Sequence, residues 1–140
     1  MATREELLNG LNEDLAAEYQ AIIMYNTYAA SVSGPHRESL KEFFTAEITG
    51  ELEHAKLLAN KIAALGGTPT TRPAAVPEAR DLRAMLQNVL KAESDTIERY
   101  KRRMKLAEEY GDYGLANDLQ TVISDETQHK EETEMLLRGL

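Results

Sequence analysis

The sequence predicts an all-α protein, a four-helix bundle of two antiparallel helix hairpins joined by a long crossover loop. Three observations predict it. Ala, Leu, Glu, Lys and Arg dominate, with only two Phe and no Trp, a composition that favours helix over strand. Apolar positions recur at spacings of three and four, the helical signature. Clusters of helix breakers divide the chain at three places: Ser33-Gly34-Pro35, the stretch from Gly66 through Pro69, Pro73 and Pro77, and Gly111 to Gly114.

These breaks place helices at roughly 4–31, 36–65, 80–109 and 114–138, within one domain covering residues 1–140. Thr3, with Glu6 three residues on, makes a capping box for the first helix. The first seam reads Leu8, Leu11, Leu15, Glu18, Ile22, Tyr25, Ala29 and Val32. The second reads Leu40, Phe44, Glu47, Glu51, His54, Leu58, Ile62 and Leu65. The third runs Leu82, Leu86, Val89, Glu93, Ile97, Tyr100 and Met104, and the fourth Leu115, Leu119, Val122, Glu126, His129, Thr133 and Leu136. Every seam carries ionisable groups at mid-height, where a core belongs.

Short turns at 33–35 and 110–113 make each pair of helices an antiparallel hairpin. The crossover loop, 66–79, spans about 45 Å at roughly 3.3 Å per residue, and a 30-residue helix is about as long. The loop can therefore cross the whole bundle and leave helices two and three parallel.

Composition excludes whole classes of function. With no Cys, there is no disulfide scaffold, thiolate metal site or thiol catalysis. A formal charge of −8 repels nucleic acid and anionic membranes and favours cationic partners, so neither nucleic acid nor membrane is expected as a partner. No export signal or long apolar run stands out, and a cytoplasmic location is expected.

Ionised Glu in a dry core costs several kcal/mol per group unless compensated, and several together repel one another. Two divalent cations would cancel four carboxylates. Oxygen-rich sites with one imidazole per metal suit iron or manganese. The spacing agrees: Glu51-Leu52-Glu53-His54 and Glu126-Thr127-Gln128-His129 are both Glu-x-x-His, which puts both ligands on one helix face. Glu18 and Glu93 each precede a motif glutamate by 33 residues, and Tyr25 and Tyr100 each follow a lone glutamate by seven.

With these motifs the sequence resembles the ferritin-like di-iron carboxylate superfamily, over essentially the whole chain. It is most similar to a non-haem bacterioferritin, through Leu-Asn-Glu-Asp-Leu-Ala-Ala-Glu-Tyr-Gln-Ala-Ile at 11–22, Glu-Leu-Glu-His-Ala at 51–55 and Asp-Glu-Thr-Gln-His at 125–129. The resemblance implies that Glu18 and Glu93 are terminal ligands, that Glu51 and Glu126 bridge two iron ions, and that His54 and His129 bind one each. Tyr25 matches a tyrosine that the family can use as an electron donor. The implied activity is oxidation of Fe(II) by oxygen or hydrogen peroxide, a ferroxidase serving iron storage or detoxification. Manganese is the alternative metal. The alternative functions are a di-metal peroxidase or oxygenase acting on another substrate, and a non-catalytic metal-binding bundle.

The departures also carry expectations. Leu52 stands where the bacterioferritin haem ligand is Met, so no haem is expected. Ala46 and Gly50 replace the His and Asp of an inner-surface iron site, leaving Glu47 either a transit carboxylate or a solvated or hydrogen-bonded one. Rubrerythrin-like and Dps-like relatives are disfavoured by the absence of Cys. Asp125 is expected to orient His54, the histidine of the opposite motif, while Gly50 leaves His129 without such a partner. His36 and the run Lys101, Arg102, Arg103 are expected on solvated faces. Eleven residues follow His129, too few for a fifth helix. A homo-oligomer built on a dimer, dodecameric or smaller, is therefore expected, with Leu7, Ile23, Phe43 and Leu57 facing outward.

Overall fold

Three of the four helices start where a side chain can replace a missing backbone partner. In the computed structural model, which describes residues 1–140, α1 spans Arg4–Ser31, α2 Arg37–Ala64, α3 Leu82–Tyr110 and α4 Tyr113–Arg138. Thr3 accepts from the Glu6 amide at 3.1 Å, Asp81 from Ala84 at 2.8 Å and Asp112 from Leu115 at 3.0 Å. These caps explain the small shifts from the expected bounds. Asp81 starts α3 two residues later than expected, and Asp112 starts α4 one residue earlier. Gly111, at φ 100°, closes α3 in the left-handed conformation and donates its amide to Ala107.

The crossover segment rises along α1. Asn12 brackets it, donating to the Thr68 carbonyl at 3.2 Å and accepting from the Thr70 amide at 2.8 Å. Higher up, the Ala74 amide donates to Ala16 at 2.9 Å, Gln20 donates to the Ala75 carbonyl, and the Tyr28 hydroxyl donates to Pro77 at 2.6 Å. The segment thus runs in the direction of α1 and delivers α3 parallel to α2. Cross-bundle partners agree: Asp14 meets Arg103, Glu18 meets Tyr100 and Tyr25 meets Glu93, so α1 and α3 are antiparallel.

The core is divided. Leu7, Leu11, Leu15, Leu58, Ile62, Leu115 and Leu119 pack at one end, and Met24, Tyr28, Phe44, Met85, Leu86 and Val89 at the other. Between these two apolar plugs lies the ionisable layer. No helix is long and apolar enough to cross a membrane.

Two expectations are corrected. Leu7 is fully buried in the first plug, not on an outer face, because α1 turns both Leu7 and Leu8 toward the bundle, Leu8 packing at the edge of the same plug beside Gly67. Ile23 is exposed, and Phe43 and Leu57 are half-buried. Arg103 does not lie on a solvated face. It follows Tyr100 by three and precedes Ala107 by four, so it shares their buried stripe, and its guanidinium pairs with buried Asp14, Nε to Oδ2 at 2.8 Å. Arg102 and Lys101 remain exposed.

Candidate metal centre

Each helix contributes side chains to the layer. α1 supplies Glu18 and Tyr25, and α3 supplies Glu93 and Tyr100. α2 carries Glu47, Glu51 and His54, while α4 carries Asp125, Glu126 and His129. Glu18, Glu51, Glu93 and Glu126 are each at most 2% exposed. The tyrosines tie the two hairpins together: Tyr100 donates to Glu18 Oε1 at 2.6 Å, and Tyr25 donates to Glu93 Oε2 at 3.1 Å.

Two groups of ligand atoms form, with members within 4.8 Å of one another: Glu18, Glu51, His54 and Glu126, and separately Glu47, Glu51 and His129. His54 Nδ1 lies 3.3 Å from Glu126 Oε1, 3.8 Å from Glu18 Oε2 and 4.0 Å from Glu51 Oε2. His129 Nδ1 lies 2.9 Å from Glu47 Oε2, 3.7 Å from Glu51 Oε1 and 3.9 Å from Glu126 Oε1. Glu51 and Glu126 therefore sit between the two imidazoles. Glu93 stands outside both groups, held by Tyr25, with its other oxygen buried and unpartnered.

Buried polar atoms are normally hydrogen-bonded. Here Glu18 Oε2, Glu47 Oε2, Glu51 Oε1, His54 Nδ1, Glu93 Oε1, Glu126 Oε1 and His129 Nδ1 all lack a hydrogen-bond partner. Each is an atom that can donate a lone pair. Such a concentration of unpartnered donors in one layer fits divalent cations.

Electrostatics show what the protein does in their place. Burial would lower His54, but the carboxylates of Glu126 and Glu18 overcome it and raise its pKa to about 10. Burial, with the Glu126 charge adding to it, raises Glu93 to about 8 against the Thr133 hydroxyl and the Tyr25 hydrogen bond. Burial and the Glu18 charge push Glu51 well above the carboxylate range. Without a metal, the layer holds protons instead.

One residue acquires a place that the sequence left open. Glu47, four residues before Glu51 on the same seam, faces His129 rather than open solvent. Its seam position was the available signal. Asp125 meets His54 Nε2 at 3.2 Å, as its place before Glu126 suggested. The buried Asp14–Arg103 pair had no such signal.

Fold and layer together define a class: helical bundles with a carboxylate–imidazole centre between two hairpins. The chain belongs to the ferritin-like domain family, whose model matches residues 8–140. It is similar to a bacterioferritin of Streptomyces coelicolor, 29% identical over 125 residues, which cover 89% of this chain and 75% of the relative. Among solved structures, a ferritin-like di-iron carboxylate protein from Bacillus anthracis is 50% identical with a TM-score of 0.95, covering 98% of this chain and 99% of that one. A mycobacterial bacterioferritin is 28% identical with a TM-score of 0.90, covering 99% and 86%.

Proposed function

We propose that this chain is a ferroxidase: it takes two Fe(II) as substrate between its hairpins and oxidises them with oxygen or hydrogen peroxide. The observation that carries this reading is the set of seven unpartnered ligand atoms in the buried layer. Glu18, Glu51, Glu93, Glu126, His54 and His129 would hold the ions, with Glu51 and Glu126 shared between them. Carboxylate-rich ligation stabilises ferric over ferrous charge, which favours loss of an electron from each ion. Tyr100 and Tyr25 orient Glu18 and Glu93 by hydrogen bonds, and Tyr25 is also placed to supply an electron. The similarity to a di-iron carboxylate protein at 50% identity supports the metal assignment.

Small reactants suit the site. The surface cavities are lined by other residues, such as Gln20, Asn88 and Arg99 in one of about 330 Å³. Assembly through the α1–α2 face, where Ile23 and Leu52 are exposed, would build a homodimer or a larger shell on it. Aerobic Fe(II) oxidation against a protein-free control tests the activity. Oxidation no faster than the control would overturn it.

A further inference from the structure

We infer that the two metal positions are unequal, a tight one at His54 and an exchangeable one at His129, and that the cause is the residue preceding each motif glutamate. This rests on the proposed reading of the layer as a two-metal centre and adds how its two seats differ.

Asp125 precedes Glu126 on α4, and Gly50 precedes Glu51 on α2. The two places are equivalent in the paired hairpins, and only one carries a side chain. Asp125 reaches across to α2 and accepts from His54 Nε2 at 3.2 Å. That contact fixes the ring with Nδ1 toward Glu18, Glu51 and Glu126. Asp125 is half-exposed, its side chain 51% accessible, so its charge is screened and its main contribution is orientation. On the other side the partner is missing. A Cβ added at Gly50 would lie 3.9 Å from His129 Cε1 and touch nothing nearer, so the space for an equivalent carboxylate is open.

The consequence shows in the rings. The His54 side chain is 7% accessible and the His129 side chain 21%. His129 Nδ1 lies 2.9 Å from Glu47 Oε2, yet neither atom has a hydrogen bond. That nitrogen also faces Glu51 and Glu126, so the contact lies on the ligand side of the ring and is no substitute for the missing partner. Groups that orient a metal-binding histidine are worth roughly 10–100-fold in metal affinity, and the same ratio is expected between the two positions.

Anaerobic titration with Co(II), followed by its visible absorption and by calorimetry, reads this without turnover. The natural protein should bind two ions in two steps, with dissociation constants separated by about tenfold or more. Gly50→Asp should tighten the second step and merge it with the first. Gly50→Ala, which changes the helix without adding a carboxylate, should leave the separation intact. Asp125→Ala should weaken the first step by about tenfold while circular dichroism shows unchanged helix content. Two ions bound with equal affinity by the natural protein, or a separation indifferent to both Gly50→Asp and Asp125→Ala, would overturn the inference and leave the two-metal reading standing. Failure to bind Co(II) at all would overturn both.

Discussion

Arg103 of α3 crosses the bundle to Asp14 of α1, Nε to Oδ2 at 2.8 Å, through space that Gly10 leaves open. A Cβ at Gly10 would come within 2.0 Å of the guanidinium. The pair lies one helical turn from Glu18 and Tyr100, at the border of the apolar plug and the polar layer. Burial raises the Asp14 pKa even against Arg103 and Arg99, so desolvation outweighs the attraction of both arginines.

Removing one partner should therefore be costly. Asp14→Ala or Arg103→Ala is expected to lower stability by about 3–5 kcal/mol, because it strands a buried charge. Gly10→Ala separates packing from propensity. On helix propensity alone it should stabilise by about 1 kcal/mol, but expulsion of the guanidinium predicts a net loss. Urea denaturation reads all three, and a stabilised Gly10→Ala would show that Arg103 does not need this space.

Metal should stabilise the fold, since it replaces repulsion among buried carboxylates with coordination. The melting temperature is expected to rise on addition of Mn(II), or of Fe(II) without oxygen, and to fall back with chelator. A melt indifferent to both would remove the buried centre from the account.

Glu18→Ala and Glu93→Ala should each abolish rapid iron oxidation while leaving helix content intact, because each change removes a ligand and also relieves repulsion. Full activity in both variants would show that the ligands lie elsewhere.

Stripped of metal, the protein should lose stability as pH rises. Glu93 goes from an ordinary 4.5 to about 8 on folding, and His54 from 6.5 to about 10. In both cases the folded chain binds the proton more tightly. The Glu93 contribution is full below 4.5 and lost as pH passes 8, and that of His54 is full below 6.5 and lost toward 10. The metal-free melting temperature should therefore decline between pH 6 and 9, and the gap to the metal-loaded protein should widen. A metal-free stability that climbs over that interval would contradict the charge arrangement described here.

The helices were legible because their seams recur at spacings of three and four, and the layer because Glu18, Glu51, Glu93 and Glu126 break that apolar pattern at one height. The length of the crossover was legible, but its path was not. Asn12 and Gln20 hold it through side-chain hydrogen bonds to its backbone, which leave no periodic trace. Arg103 was misread because a long basic residue between Arg102 and Met104 looks solvated, while its partner Asp14 is distant in sequence and only the folded bundle joins them. Leu7 and Leu8 are adjacent, and spacing alone could not tell that both turn inward. Glu47 lay on the seam in plain view, yet its approach to His129 on the other hairpin exists only in the folded bundle.

The central claim is a two-iron oxidation centre, and its most direct test counts iron. Fe(II) is added to metal-free protein without oxygen at increasing ratios, then mixed rapidly with oxygenated buffer while ferric absorbance is followed. A fast phase is expected whose amplitude grows with added iron and saturates at two Fe(II) per chain, and which is lost in Glu18→Ala. A fast phase that saturates at another ratio, or none above the protein-free rate, would contradict it.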